Sequence, residues 1–226
     1  MTPERDPRPA GLLLAAGAGR RMGRPKALVE LAGRPLVSRA LEVLRDGGCA
    51  PLLVVLGAAA GEVAALLPAD VRAVTAEDWA DGMGASLRAG LGALDGLPGV
   101  TSALVHLVDL PGVGAAAVAR MVAAGYTGSA ADGPAASGSV ASGSVLPGSA
   151  ALGPDVLARA AYDGRPGHPV LLGRSHWPGV LAAARGDAGA RDYLAGHPAL
   201  RLVECGDLAD PRDVDTPEAL REFLRS

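Results

Sequence analysis

The sequence predicts an α/β fold with a mostly parallel sheet, and three observations carry that prediction. Short continuous apolar runs at 12–16 (LLLAA), 52–56 (LLVVL) and 103–108 (ALVHLV) read as strands buried on both faces. Helical stretches alternate with them through connections so short that only right-handed crossover units fit. Thirty-two glycines and 18 prolines among 226 residues supply the turns that such alternation needs.

Taken in order, residues 1–10 (MTPERDPRPA) read as a disordered leader and 11–226 as a single domain. The first strand spans 11–16 and breaks into a glycine-bearing loop, Gly17-Ala18-Gly19, with cations following it. Gly33-Arg34-Pro35 turns the chain into a helix over 36–45, where Pro35 sits near the first turn and its missing N–H costs little. Gly47-Gly48 stops that helix, and Pro51 and Gly57 bound the strand at 52–56. A short helix at 61–67 and an edge-like strand at 71–75 follow. Gly82 opens a helix running to 94, and the strand at 103–108 ends on Asp109-Leu110-Pro111 before a helix at 115–124.

Residues 127–154 change character. They are nearly all Gly, Ser, Ala and Pro with no basic residue, and read as a flexible surface insertion that cannot bury enough to offset its own ordering entropy. Beyond it the sequence predicts a strand at 170–172, helices at 178–184 and up to 195, a last strand at 200–204, and a terminal helix begun by Asp213-Val214-Asp215-Thr216-Pro217-Glu218.

Composition narrows the partners. The chain is 49% hydrophobic but only 3% aromatic, so its core is built from Ala, Leu and Val. A net charge of −3 leaves no general basic footprint, which argues against nucleic acid. Cys49 and Cys205 lie far apart with neither metal-type spacing nor a pairing pattern, as expected of idle thiols in a reducing compartment. The charged, proline-rich start has no signal-peptide character, and no apolar run approaches the roughly 20 residues of a membrane span. A soluble cytoplasmic protein is the expectation.

The chemistry concentrates at 11–28, GLLLAAGAGRRMGRPKAL. Ligands of parallel sheets bind at the carboxyl ends of the strands, and both the 17–26 loop and Asp109 fall there. A glycine turn lets backbone N–H groups approach a phosphate, and the arginines and Lys26 neutralise it. Lys26 is the only lysine among 21 basic residues, which points to a place where a compact ammonium is wanted. A Walker loop does not fit, because Lys26 follows Pro25 and precedes Ala27. A dinucleotide fingerprint does not fit either: glycines 17, 19 and 23 are spaced one residue too wide.

The pattern G-x-G-x-R-M-G-x-x-K after LLLAAG resembles the signature of nucleotidyltransferases that join a nucleoside triphosphate to a phosphate-bearing acceptor. With GRPLV, WADGMGASLRAGL, LVDLPGV, DGRPGHPVLL, GDAGARDYL and DVDTPEAL in this order, the chain is similar to the molybdenum cofactor cytidylyltransferases, the MobA-like NTP transferase type. The resemblance implies a Rossmann-like three-layer α/β/α fold and transfer of CMP from CTP to molybdenum-loaded molybdopterin, releasing pyrophosphate. It implies a nucleotide site at Leu14, Ala15, Ala16, Gly17, Gly19, Gly23 and Ser86, with Arg21, Lys26 and Asp109 catalytic. Asp109 and Asp215 would hold Mg²⁺, and His168 and Arg191 would meet the acceptor.

Plainer readings stand beside these. Asp109 could be a strand-end turn former, Asp215 only a helix N-cap with Asp213 the next candidate ligand, and Ser86 a helix-start residue. His168 could be structural and Arg191 a surface charge, while Trp177, His106, His176 and His197 read as structural. In the resemblance Ala16 goes with cytidine, since guanylyl-transferring relatives tend to carry a second glycine there. Rival functions are the same transfer with GTP or another phosphorylated acceptor, or a non-catalytic module that delivers cofactor to a client molybdoenzyme.

Overall fold

The computed structural model describes residues 8–127 and 152–225. Its centre is a seven-stranded sheet in the order β5-β4-β1-β6-β8-β7-β9. The strands are β1 (Ala10–Leu14), β4 (Leu52–Leu56), β5 (Arg72–Thr75), β6 (Ser102–Leu107), β7 (Leu157–Tyr162), β8 (Arg165–Gly173) and β9 (Arg201–Glu204). The two-residue strands β2 (Glu30–Leu31) and β3 (Arg34–Pro35) form a small separate hairpin. Every pairing in the large sheet is parallel except the two made by β8, which runs against both β6 and β7.

The apolar runs become central strands because both faces of the sheet are covered. Along β1 and just past it, Leu13 and Ala15 join one core while Leu12, Leu14 and Ala16 join the other, the period of two that a pleat imposes. The first core packs on α1 (Leu36–Asp46) and α4 (Ala115–Thr127), with Leu41, Leu44, Val118 and Met121 turned inward. It also receives Val63 of the short α2 (Ala60–Ala64) and Leu220 of α7 (Pro217–Phe223). The second core packs on α3 (Met83–Asp95) through Leu87, Leu91 and Leu94, on α5 (Trp177–Ala183) through Trp177 and Val180, and on α6 (Arg191–Leu194) through Leu194. The result is the expected three-layer, mostly parallel α/β/α architecture.

Chain order places the switch in winding direction at β1. The chain steps from β1 to β4 and β5 on one side, then returns to lay β6 on the other. The crevice outside the carboxyl ends of β1 and β6 is therefore the ligand-binding position of an open α/β sheet.

Several sequence expectations need correction. The leader is shorter than 1–10: Pro9 is buried and its carbonyl accepts from Ala50 N at 2.9 Å, and Ala10 already pairs with Ala103 inside the sheet. The rest of the expected leader lies outside the described residues. The 127–154 insertion is likewise trimmed at its end, because Leu152 is 1% exposed within the first core and Pro154 O accepts from Ser175 N at 3.0 Å. Residues 128–151 lie outside the described part. The loop expected before 170 is a hairpin, with β7 unforeseen and β8 starting at Arg165. Its turn is Asp163-Gly164, both at positive φ (51° and 74°), the pair a tight two-residue hairpin turn requires. The backbone N–H groups of both residues donate to the Glu204 carboxylate at 3.0 Å.

The packing sets an expected outcome. Leu91 is fully buried against the sheet, whereas Leu202 on edge strand β9 is half exposed. Leu91→Ala should lower unfolding free energy by about 2–5 kcal/mol in urea titrations. Leu202→Ala should stay within about 0.5 kcal/mol of the parent chain.

Candidate active site

At the switch position lies an open cavity of about 710 Å³. The glycine loop forms one wall, the start of α3 a second, the segment after β6 a third, and the stretch before α7 a fourth. Of the sequence-predicted residues, Leu14, Ala16, Gly17, Gly19, Arg21, Lys26, Ser86, Asp109, His168 and Asp215 all line it. Ala15 does not: its methyl points into the opposite core, and its N–H donates to Val55 O at 3.0 Å. Gly23 (φ +77°) shapes the loop from outside the cavity wall. Arg191 lines an adjoining cavity of about 260 Å³ that shares His168, Leu14 and Met83 with the first.

The loop holds its form because of Gly19. It sits at φ +60°, and a Cβ there would lie 2.0 Å from Arg24 O, so no other residue fits without rebuilding the turn. Met22 N donates back to Gly19 O at 2.9 Å and closes the bend. Around Gly17 there is open space, as a backbone meant to be approached by a ligand needs.

Three distant segments meet at one ammonium. Lys26 Nζ donates to Asp109 Oδ2 at 2.6 Å and also to Asp215 Oδ1, while Arg21 donates to the other oxygen of Asp215 at 2.5 Å. Backbone bonding fixes the meeting, since Val214 N donates to Asp109 O at 2.9 Å and Val214 is buried. Burial opposes the charge on Lys26, but the Asp109 and Asp215 carboxylates outweigh it and raise its pKa above the ordinary lysine value. Arg21 is largely exposed, so its pair contributes little to stability and keeps the guanidinium available.

The N-cap reading of Asp215 is resolved by Thr216. The Thr216 Oγ1 accepts from Ala219 N at 3.1 Å and caps α7 itself, which leaves the Asp215 carboxylate to the cavity. Asp213 lines the same wall. Among the described residues no three His, Cys, Asp or Glu side chains cluster as a protein-only metal cage. Two carboxylates sharing one ammonium fit a divalent cation that takes one or two carboxylates and completes its shell with other oxygens.

The adjoining cavity is where the remaining motifs meet. Gly82 and Gly84 at the start of α3 abut residues 184–187: a Cβ on Gly84 would sit 2.7 Å from Arg185 N, and one on Gly82 2.5 Å from Gly186 C. The WADGMGASL and GDAGAR motifs are thus two halves of one close contact, and Asp187 from it lines both cavities. On the far side, Arg159 Nε donates to Gly167 O at 2.9 Å and Tyr162 OH to His168 O at 2.6 Å, bracing the segment that carries His168. Burial, with Arg191 nearby, lowers the Arg159 pKa. Burial and the charge of Arg159 push His168 down to about 4, so its ring is neutral at pH 7.

Arg159, Asp187 and Trp79 were missed as site residues. Arg159 lay in a strand hidden by the neighbouring low-complexity run. Trp79 is one of only two tryptophans in the chain and lines the main cavity beside Ala16. Its scarcity was the signal available.

Comparison with known proteins agrees with the geometry. A family profile described as "MobA-like NTP transferase domain" matches residues 11–202. The chain is 38% identical over 217 residues to the nicotine blue oxidoreductase of Paenarthrobacter nicotinovorans, covering 95% of each. A 32-residue stretch is 66% identical to the molybdenum cofactor guanylyltransferase of Rhodobacter capsulatus, 14% of this chain and 17% of that one. The fold matches Rv0371c of Mycobacterium tuberculosis H37Rv, solved in complex with manganese, with a TM-score of 0.69 and 26% identity over 97% of this chain and 99% of the other. No helix among the described residues is long and apolar enough to cross a membrane.

The partly exposed but desolvated His168 makes acid sensitivity measurable. Its pKa is near 4 when folded and about 6.5 when unfolded. Below pH 6.5 the unfolded chain takes a proton that the folded one refuses, so stability falls with pH down to about 4 and levels off below. His168→Gln should remove a component on the order of 3 kcal/mol from that acid limb, read from urea titrations at pH 7 and pH 4.

Proposed function

The chain belongs to the MobA-like NTP transferase domain family, and from that premise we propose that it transfers a nucleotidyl group from CTP to a molybdopterin-type acceptor, releasing pyrophosphate. One observation carries the reading: Lys26 stands between Asp109 and Asp215 on the rim of the glycine loop, so donor phosphates bound there meet both charge signs at once.

The roles follow from chemistry. Backbone N–H groups of the 17–23 loop, apart from that of Met22, would face the triphosphate. Asp109 and Asp215 would hold a Mg²⁺, whose charge would offset that of the donor phosphates. Lys26 would then turn its ammonium from the carboxylates to the α-phosphate, where negative charge grows as the acceptor oxygen attacks. The exposed Arg21 would reach the same side. A terminal phosphate is already anionic at pH 7, so the site needs no strong base, and positioning with charge stabilisation accounts for the catalysis. The acceptor would lie in the adjoining cavity, its phosphate toward Arg191 and Arg159 and its flat body against Leu87, Val105 and Val170.

The choice of CTP rests on the Ala16 methyl, which narrows the space beside the base at Trp79. The match to a guanylyltransferase over 32 residues supports GTP as the competing donor. A second reading has its own support: the relative aligned along nearly the whole chain carries an oxidoreductase name. On that reading the same cavity would hold a nucleotide cofactor for reduction of a dye-like substrate.

Pyrophosphate release from CTP, GTP, ATP and UTP, with Mg²⁺ or Mn²⁺ and molybdenum-loaded molybdopterin, separates these. We expect release with CTP, lost on chelation, and a fall of about 10²–10³-fold for Lys26→Ala. Lys26→Arg should not restore it, because a planar fork cannot replace a point charge shared by two carboxylates. Release with GTP alone would move the base assignment. No release with any nucleotide, together with redox conversion of nicotine blue, would overturn the transferase reading.

A further inference from the structure

Aromatic side chains make up only 3% of this chain, and one of its two tryptophans lines the main cavity. The other, Trp177, is 2% exposed and its Nε1 donates to Leu172 O at 3.1 Å, as an enclosed indole requires. Trp79 differs. It opens a single 3₁₀ turn, Trp79–Asp81, between β5 and α3, and is half-buried, packed against the second core without being enclosed by it. The turn is held from both sides. Trp79 N donates to Ala76 O and Gly82 N to Trp79 O, while Ala76 N donates to Leu56 O at the end of β4 at 2.8 Å. Arg88 of α3 donates to the Asp78 carboxylate at 3.0 Å and to Ala184 O at 2.6 Å. Gly57 supplies the seat for the ring: a Cβ there would lie 2.6 Å from Trp79 Cγ and 2.8 Å from the Ala16 methyl, so a side chain would displace one or the other.

We propose that Trp79 is the platform on which the base of the bound nucleotide stacks, an inference that rests on the main cavity taking the donor nucleotide. The glycine loop, Arg21 and Lys26 answer phosphates, and any polyphosphate would satisfy them equally. A base needs a flat apolar surface as well. Among the described residues lining this cavity, Trp79 is the only Phe, Tyr or Trp, and it stands beside Ala16, the residue on which the choice of base was argued. Its turn is fixed to β4 and α3 before any ligand arrives, so little ordering is left for binding to offset. Stacking uses the π-face that every base carries. Trp79 therefore supplies affinity for a nucleoside of any base, and discrimination between bases falls to the groups that meet the ring edge.

Calorimetric titration of the full chain with CTP and with inorganic tripolyphosphate, each in the presence of Mg²⁺, separates the base from the phosphates. Trp79→Leu should weaken CTP about tenfold and leave tripolyphosphate within about twofold, while Trp79→Phe, which keeps a π-face, should retain most of the CTP affinity. Melting temperatures check that both variants fold. In the parent chain CTP should also quench tryptophan emission and tripolyphosphate should not, a readout that needs no substitution. With Trp177 enclosed in the core, that change reports Trp79. Equal CTP binding by Trp79→Leu, or CTP heat with unchanged emission, overturns the stacking alone. A matching loss of tripolyphosphate in Trp79→Leu also overturns it, since the indole would then only shape the cavity. No CTP heat in the parent chain overturns the inference together with the nucleotide site on which it rests.

Discussion

The shared ammonium of Lys26 is the interaction on which the architecture of the site depends. Asp109 follows the central strand β6, Asp215 precedes the terminal helix α7, and Lys26 closes the loop after β1. Two carboxylates brought this close repel each other, and the repulsion grows as water is excluded. One cation between them turns a destabilising pair into a cluster that draws the C-terminal segment onto the sheet. The Val214 N–H to Asp109 carbonyl bond then fixes the distance. A divalent cation would meet the same requirement with more charge, which is why the proposed metal role falls on the same two carboxylates.

Much of this was legible in the sequence, for physical reasons that can be named. A strand buried on both faces must be largely apolar, so LLLAA and ALVHLV announced themselves, and their carboxyl ends located the loop that carries Lys26 and the position of Asp109. The turn residues did the same for the loop, because Gly19 occupies a backbone conformation that side chains avoid. What was lost were contacts between segments. Nothing in WADGMGASL says that its glycines receive the backbone of GDAGAR, since that requirement exists only once α3 and residues 184–187 are packed together. The β7–β8 hairpin failed differently. Its Asp163-Gly164 turn was a readable signal, masked by a proline-rich string and by the low-complexity run before it.

The single antiparallel strand has a consequence for function. By running against β6 and β7, β8 brings its N-terminal half, Gly167 and His168, to the carboxyl end of β6. A parallel strand in that place would have put the Gly-His-Pro segment at the opposite edge of the sheet, far from Asp109. The adjoining cavity exists because of this reversal, and Arg159, carried on β7 and bonded to Gly167, belongs to it for the same reason.

Retention of one lysine in a chain otherwise committed to arginine now has a physical account. A guanidinium spreads its charge over a rigid plane and pairs best with a single carboxylate in a fork. At the mouth of the glycine loop the partners lie on two different segments, both reached by one nitrogen. A compact charge with three donors on a flexible stem suits contact with both. Arg21, exposed and paired with Asp215 alone, shows what arginine contributes at the same site: reach and a second charge, without the ability to stand between the acids. The division of labour between the two cations follows from their shapes.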